Sequence, residues 1–181
     1  INTLTRLDTL VLGVGQLSHM ISKRQYKQVA EKLRVVSSLS DCFVKYSHID
    51  KVKEAEKKFE GLKSKCVDLV YDEFERLDDR SATPQYFRHL CHVMQALNDD
   101  KLQFVSWFVN DRLSSYESTF PETDEVSKLE NVAVRFQWLR RELKFYDQHF
   151  SGTFPDDWEM PQLLCEEFCL ITKEKLSKAL S

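Results

Sequence analysis

The stretch VAVRFQWLRRELKFYDQHF, residues Val132–Phe150, determines the fold class that we predict for this chain. Its apolar residues recur at alternating steps of four and three, which places them in one stripe along an α-helix. The stripe consists of Val132, Phe136, Leu139, Leu143, Tyr146 and Phe150. A second stripe of Val134, Trp138 and Phe145 lies beside it, so the pattern predicts a helix packed between two or more neighbours. The charged residues are predicted to face solvent: Arg135, Arg140, Arg141, Glu142 and Lys144.

The composition is typical of long, solvated helices. Of the 181 residues, 42% are apolar and 30% are charged, with only 4 glycines and 4 prolines to make turns. A formal net charge of −3 argues against a nucleic-acid-binding protein, which should carry a basic face. No apolar run approaches the roughly 20 residues that a membrane span needs, and no signal or lipidation motif is present. We therefore predict an all-α fold without strands.

The apolar periodicity predicts about eight helices, arranged as elongated antiparallel bundles. The first helix, residues 2–21, carries a heptad seam in which Ser18 is the one polar member. The apolar members of this seam are Leu4, Leu7, Val11, Val14 and Ile21. Because an interior glycine costs a helix about 1 kcal/mol relative to alanine, Gly13 and Gly15 indicate a weak helix that depends on a partner.

Two longer helices are predicted next, at about 25–46 and about 49–77, and the short break between them predicts antiparallel neighbours. The inward face of the second helix is Tyr26, Val29, Leu33, Val36, Leu39 and Phe43. The third helix keeps a heptad seam and then slips by one residue. Its inward residues are Val52, Ala55, Phe59, Leu62, Cys66 and Leu69, followed by Val70, Phe74 and Leu77. The charged segment KVKEAEKKFEGLKSK is either a coiled-coil surface for partners or a solvated face, and we favour the solvated face.

Turn and capping residues mark the later boundaries. Residues 78–82 form the clearest internal boundary, and Thr83-Pro84 supplies a cap and a first-position proline for the fourth helix. Gly152 is placed to end the central helix. Pro161 predicts that residues 156–160 form a short turn before a longer helix, and Thr172 is predicted to begin a last helix.

The motifs of common enzymes are missing from the sequence. It contains no Ser nucleophile elbow, P-loop or His-Glu-x-x-His motif, so we expect neither catalysis nor a cofactor. His89 and His92 share one helical face, as do Cys165 and Cys169, and these spacings would allow a two-helix zinc site. Small core cysteines and edge histidines explain the same residues, and we favour that interpretation. The odd number of cysteines, 5, favours reduced thiols over a disulfide framework.

Three stretches, in this order, resemble one known family. They are SKRQYKQVAEKLRVVSSL (Ser22–Leu39), RFQWLRRELKFYDQHFSGTFPDDWEM (Arg135–Met160) and CEEFCLITKEKLSKAL (Cys165–Leu180). An aromatic-rich helix followed by Phe-Pro-x-x-Trp and Glu-Phe-Cys-x-x-Thr is similar to the fifty-third vacuolar-protein-sorting subunit of the Golgi-associated retrograde protein (GARP) complex. The resemblance runs along the whole chain, and its motifs are structural rather than catalytic.

This resemblance implies a helical rod of the CATCHR class (complexes associated with tethering containing helical rods). Such a subunit joins the other subunits of GARP and of the endosome-associated recycling complex (EARP). Its helical and coiled-coil contacts tether carriers from endosomes at the trans-Golgi network, with SNARE proteins and small GTPases as further partners. Such a protein is cytosolic and peripheral on trans-Golgi and endosomal membranes, and its membrane contact is indirect.

The resemblance also predicts how the chain is divided. Residues 1–21 would be the tail of the family's N-terminal coiled coil, with Leu4, Leu7, Val11 and Val14 as partner-binding residues. Residues 22–181 would be the rod module, with a sub-boundary at 78–83. Because the first residue is Ile1 rather than Met, we expect a piece of a longer protein. The alternatives are a helical adaptor or scaffold of another class and a helical zinc protein.

Overall fold

The computed structural model describes residues 3–76, 83–121 and 132–179, and within these ranges it contains seven α-helices and no strand. The helices are α1 (Thr3–Ser22), α2 (Tyr26–Asp41), α3 (Asp50–Glu75), α4 (Pro84–Leu97), α5 (Lys101–Thr119), α6 (Val132–Phe150) and α7 (Met160–Ala179). Short 3-10 turns lie at Val44–Tyr46, Asn98–Asp100 and Asp156–Trp158. The all-α prediction is confirmed.

The chain divides into two compact units, Ile1–Lys101 and Leu102–Ser181. In the first unit, α1 and α4 each pack against both α2 and α3, so the helices follow the order α1, α2, α4, α3 around a bundle. The prediction that α2 and α3 are antiparallel neighbours is therefore wrong. Residues 42–49 separate the two helices, and eight residues can span up to about 26 Å. This segment is therefore long enough to place α3 on the opposite side of the bundle from α2 instead of beside it.

The face that α1 packs on the bundle coincides only in part with its predicted heptad seam. Leu7, Val14 and Ile21 are buried as expected, but Leu10 and Leu17 complete the buried face, whereas Leu4, Val11 and Ser18 are exposed. The buried face keeps a seven-residue repeat, but half of it is shifted by one position, from Val11 to Leu10 and from Ser18 to Leu17. The assignment of the seam to partner binding stays a prediction.

The buried faces of α2, α3 and α4 largely follow the sequence pattern. The phase slip in α3 is confirmed, because Cys66, Val70 and Phe74 are buried while Leu62 and Leu69 are half-buried. The hydroxyl Oγ1 of Thr83 accepts a hydrogen bond from the backbone N–H of Tyr86 at 3.3 Å, which confirms the predicted cap of α4. The buried side chains of α2 and α4 include Tyr26, Val29, Leu33, Val36, Phe87, Leu90, Cys91, Met94 and Leu97.

The helix α2 ends at Asp41, earlier than predicted, and Leu39 is only half-buried. The predicted boundary at 78–82 lies outside the residues that the structure describes, as does Leu77.

The second unit packs α5, α6 and α7 together with aromatic side chains. The ring of Phe108 lies 5.2 Å from that of Phe150 and 4.7 Å from that of Phe154, both in edge-on contact. The bounds predicted for the central helix agree with α6. Gly152 follows it with a φ of 78°, which glycine adopts without strain, and the Asp156–Trp158 turn was also expected.

A predicted break at Thr172 is absent, because α7 continues from Met160 to Ala179. Thr172 is buried in the interior of the helix, and its hydroxyl is hydrogen-bonded to the Tyr116 hydroxyl at 2.7 Å. A threonine at a helix start caps backbone amides, whereas this threonine has a partner on another helix. The same residue type therefore plays a packing role here.

The five cysteines are free thiols that differ in accessibility, and this predicts their reactivity. Cys42 and Cys169 are exposed, whereas Cys66 and Cys91 are buried. Burial raises the pKa of the Cys66 thiol to about 12 and also raises the pKa of Cys91. Because the thiolate is the reactive form, we expect a maleimide at about pH 8 to label Cys42 and Cys169 in the native protein. Peptide mass spectrometry should detect labelled Cys66 and Cys91 only after denaturation, and rapid native labelling of Cys91 would contradict the packing of α4.

Candidate functional sites: a helical groove and a buried polar cluster

A groove with a volume of about 610 Å³ lies between α1 and α3. We call it the α1–α3 groove. Three of the four predicted partner-binding residues, Leu7, Val11 and Val14, line it, and Leu4 lies one heptad before Val11 on the same helix. The other apolar or small residues of its lining are Gly15, Ala55, Gly61 and Leu62. An apolar strip between two helices is the kind of surface on which a third helix packs.

The accessible apolar area of this region comes mainly from α1. Leu4 is 67% exposed, Val11 is 50% exposed and Leu12 is 62% exposed, whereas Leu7 and Val14 are buried in the bundle and form the base of the groove. Leu4 and Val11, the apolar seam residues that do not pack on the bundle, are thus presented to solvent by α1. A seven-residue repeat of exposed apolar side chains is typical of a coiled-coil seam.

Two glycines of the groove have no packing role within the described part of the bundle. A Cβ atom added to Gly15 or to Gly61 would meet nothing within 4 Å, although each glycine costs its helix stability. Gly13 differs, because a Cβ there would lie 3.1 Å from Cγ2 of Val36. Gly13 is therefore explained by the packing of α1 on α2, whereas Gly15 and Gly61 leave room beside the groove for another backbone to approach.

The rim of the groove is polar and charged. Asp8 lies on α1, and Lys51, Glu54 and Lys58 lie on α3. Nζ of Lys58 is 2.7 Å from Oε1 of Glu54, and this hydrogen bond lowers the pKa of the Glu54 carboxyl. An apolar floor inside a solvated charged rim is the usual arrangement of a protein–protein interface.

A cluster of buried polar groups in the second unit was not predicted from the sequence. Arg135 was expected to face solvent, but its side chain is fully buried, so that prediction is wrong. Its Nη1 donates a hydrogen bond to the Tyr116 hydroxyl at 2.8 Å, and its guanidinium lies over the Phe120 ring at 4.9 Å. A buried hydroxyl and an aromatic face favour the positive charge and compensate part of its lost hydration.

Further charged groups connect the helices of this unit. Nζ of Lys175 donates a hydrogen bond to the carbonyl oxygen of Phe120 at 3.0 Å. Phe120 follows the last residue of α5, and a positive charge at the C-terminal end of a helix is stabilised by the helix dipole. Nε and Nη2 of Arg112 lie 2.8 and 2.7 Å from Oε1 of Glu142, and the guanidinium lies over the Phe145 ring. Glu142 was predicted to face solvent, but only 11% of its side chain is exposed, so this prediction is also wrong.

The residues considered as zinc ligands occupy two separate helices. His89 and His92 lie half-buried on α4, whereas on α7 Cys165 is half-buried and Cys169 is exposed. Within residues 3–76, 83–121 and 132–179, no three His, Cys, Asp or Glu side chains are grouped as metal ligands would be. The same residues include no helix with the length and apolar character of a membrane span.

Comparison with known proteins gives a consistent family assignment. The family model described as "Vps53, N-terminal" matches residues 1–181. Vacuolar protein sorting-associated protein 53 A of Arabidopsis thaliana is 32% identical over 99% of this chain and 22% of its own length. The Caenorhabditis elegans homolog of protein 53 is 26% identical over 100% of the chain, and the Saccharomyces cerevisiae protein is 21% identical over 91%.

These relatives are much longer proteins than the chain described above. The chain spans 22%, 23% and 21% of the lengths of the Arabidopsis thaliana, Caenorhabditis elegans and Saccharomyces cerevisiae relatives. No solved structure was found that matches it. The family model covers every residue, and the Arabidopsis thaliana relative is 32% identical over nearly the whole chain. The chain therefore belongs to the Vps53 N-terminal family.

Proposed function

We propose that the chain is part of a non-catalytic subunit of a multisubunit vesicle-tethering complex, of the GARP and EARP type. This complex acts in retrograde transport from endosomes to the trans-Golgi network. Membership of the Vps53 N-terminal family over residues 1–181 supports this proposal, and so do the vacuolar-protein-sorting names of the relatives. The subunit is cytosolic and peripheral on trans-Golgi and endosomal membranes. SNARE proteins and small GTPases are further partners of the assembled complex.

The α1–α3 groove is the surface that we propose for assembly with another subunit. The observation that carries this assignment is the exposed apolar line of α1, Leu4 and Val11, beside a groove between two helices. The predicted partner-binding residues Leu4, Leu7, Val11 and Val14 belong to this surface. Its occupant would be an amphipathic helix of another subunit, because a heptad line of apolar residues matches the spacing of such a helix.

The glycines support close approach of that helix. Two helices approach each other more closely where a glycine removes the Cβ, and both Gly15 and Gly61 border the groove. The apolar floor and charged rim of the groove support a role in holding another helix. In this proposal the chain holds a helix of another subunit at a fixed distance from its own helices within a larger assembly.

A matched pair of substitutions in the full-length subunit tests this assignment. We expect Val11→Glu to reduce co-purification of the other tethering subunits by about tenfold or more, since a buried unpaired carboxylate costs several kcal/mol. Val35→Glu is the control, because Val35 is also 54% exposed on a helix but does not line the groove. Quantitative mass spectrometry of affinity-purified complexes measures the recovery.

The two ways in which the test can fail have separate meanings. Equal recovery with Val11→Glu and Val35→Glu would contradict the groove as the interface. Failure of the unaltered subunit to recover any tethering subunit would contradict the proposed function itself and would favour a helical adaptor of another class. Circular dichroism of both variants verifies that neither substitution unfolds the bundle.

A further inference from the structure

A second groove in the first unit is lined by basic side chains. It lies between α2 and α4 and has a volume of about 320 Å³. We call it the basic groove. Its polar lining consists of Lys27, Glu31, Arg34, His89, His92 and Gln95. Among the described residues, its lining comes from these two helices alone, and no residue of the α1–α3 groove belongs to it.

The charge in this groove is opposite in sign to that of the chain. Lys27 and Arg34 contribute two permanent positive charges against the one carboxylate of Glu31, while the whole chain has a formal net charge of −3. Some surface cations of the described region are paired within the chain, for example Arg24 with Glu73 at 3.1 Å. Within that region, neither Lys27 nor Arg34 forms an ion pair, so both remain available to an external anion.

The two imidazoles add hydrogen-bonding groups to these charges. Nδ1 of His92 lies 3.4 Å from Oε1 of Gln95, a contact that holds the ring at the groove. Partial burial, together with the nearby His92 and Lys27, lowers the pKa of His89. Burial is the largest cause of the lower pKa, and the positive charges of the neighbouring basic groups add to it, so an anion bound between these groups would favour the protonated ring.

We propose that the basic groove binds a phosphate-bearing anion, either free or as the head group of a lipid. Arginine pairs with phosphate through two parallel N–H groups, and lysine adds a compact positive charge. The volume lies at the lower end of the range for small-ligand sites, about 300–1,000 Å³. A nucleic acid would need a continuous basic stripe, whereas this groove is a local feature of an acidic chain. The site is independent of the proposed assembly surface.

The test measures binding of inositol hexakisphosphate to the full-length subunit by isothermal titration calorimetry. Because charge-assisted hydrogen bonds to phosphate are stronger than neutral ones, we expect Lys27→Gln and Arg34→Gln each to raise Kd about tenfold or more. Glu31→Gln should lower Kd, because it removes the one carboxylate among the described residues that line the groove. Lys57→Gln, at an exposed lysine of α3 outside the groove, should leave Kd unchanged.

Vesicles distinguish the two sources of phosphate. The same variants are assayed by flotation with phosphatidylcholine vesicles that contain or lack a phosphoinositide. Flotation that requires the phosphoinositide, and that Arg34→Gln abolishes, assigns the groove to a lipid head group. Binding of inositol hexakisphosphate without flotation assigns it to a free anion. Absence of both, or equal losses for Arg34→Gln and Lys57→Gln, would overturn the proposal.

Discussion

Replacing Tyr116 by alanine should destabilise the second unit by about 5 kcal/mol. Removal of a large buried ring typically costs about 3–5 kcal/mol, because the packing closes only part of the cavity that remains. The Tyr116 ring is fully buried, and its centre lies 5.1 Å from that of Trp138 and 4.8 Å from that of Phe168. Its hydroxyl also bonds both Arg135 and Thr172, and their polar groups would lose this partner. Urea denaturation followed by circular dichroism measures the change.

The conservative variant Tyr116→Phe separates the ring from its hydroxyl. It keeps the aromatic packing and removes only the hydrogen bonds to Arg135 and Thr172, so we expect a loss of about 1–3 kcal/mol. An equal loss in the alanine and phenylalanine variants would show that the hydroxyl accounts for the whole effect. A phenylalanine variant as stable as the unaltered protein would show that the buried polar cluster adds nothing to stability.

The second large effect is expected for Trp138→Ala, at about 3–5 kcal/mol. Trp138 is buried on α6, and its ring stacks at 6° to the Phe168 ring of α7. Its loss should therefore loosen the packing of α6 against α7 and lower the thermal midpoint of the protein. Differential scanning calorimetry or a thermal melt followed by circular dichroism measures this change.

Phe136 provides the control on the same helix. Its side chain is 45% exposed, although its ring also contacts Phe168 at 5.5 Å. Phe136→Ala should cost only about 1 kcal/mol, as is usual for changes near the surface. If the two alanine variants lowered the midpoint equally, the packing of Trp138 against α7 would be wrong.

Local signals in the sequence were sufficient for much of the fold. The periodicity of Val132–Phe150 predicted the bounds of α6, and the residues Thr83 and Gly152 predicted a helix start and a helix end that the structure shows. These signals depend on backbone geometry and on capping within a few residues. They therefore need no knowledge of the distant parts of the chain.

The neighbours of each helix could not be obtained in the same way. The pattern of α1 identified an apolar helix with a seam that includes Val11, but it did not show that Leu10 and Leu17 are the residues buried in the bundle. It also made α2 and α3 neighbours, whereas each packs on α1 and α4. The apolar periodicity shows which side of a helix is hydrophobic. Which neighbour that side contacts depends on where the connecting segments place the other helices of the bundle.

The sequence by itself determined that this chain is helical, where some of its helices begin or end, and which family it resembles. Only the tertiary structure decided that Arg135 is buried against Tyr116 and that the exposed line of α1 borders a groove with α3. A charged residue is expected at the surface, because burial removes its hydration. It can be buried only where a partner from elsewhere in the chain compensates for that loss. That partner, Tyr116, is 19 residues away along the chain and on another helix, beyond the range of any local pattern.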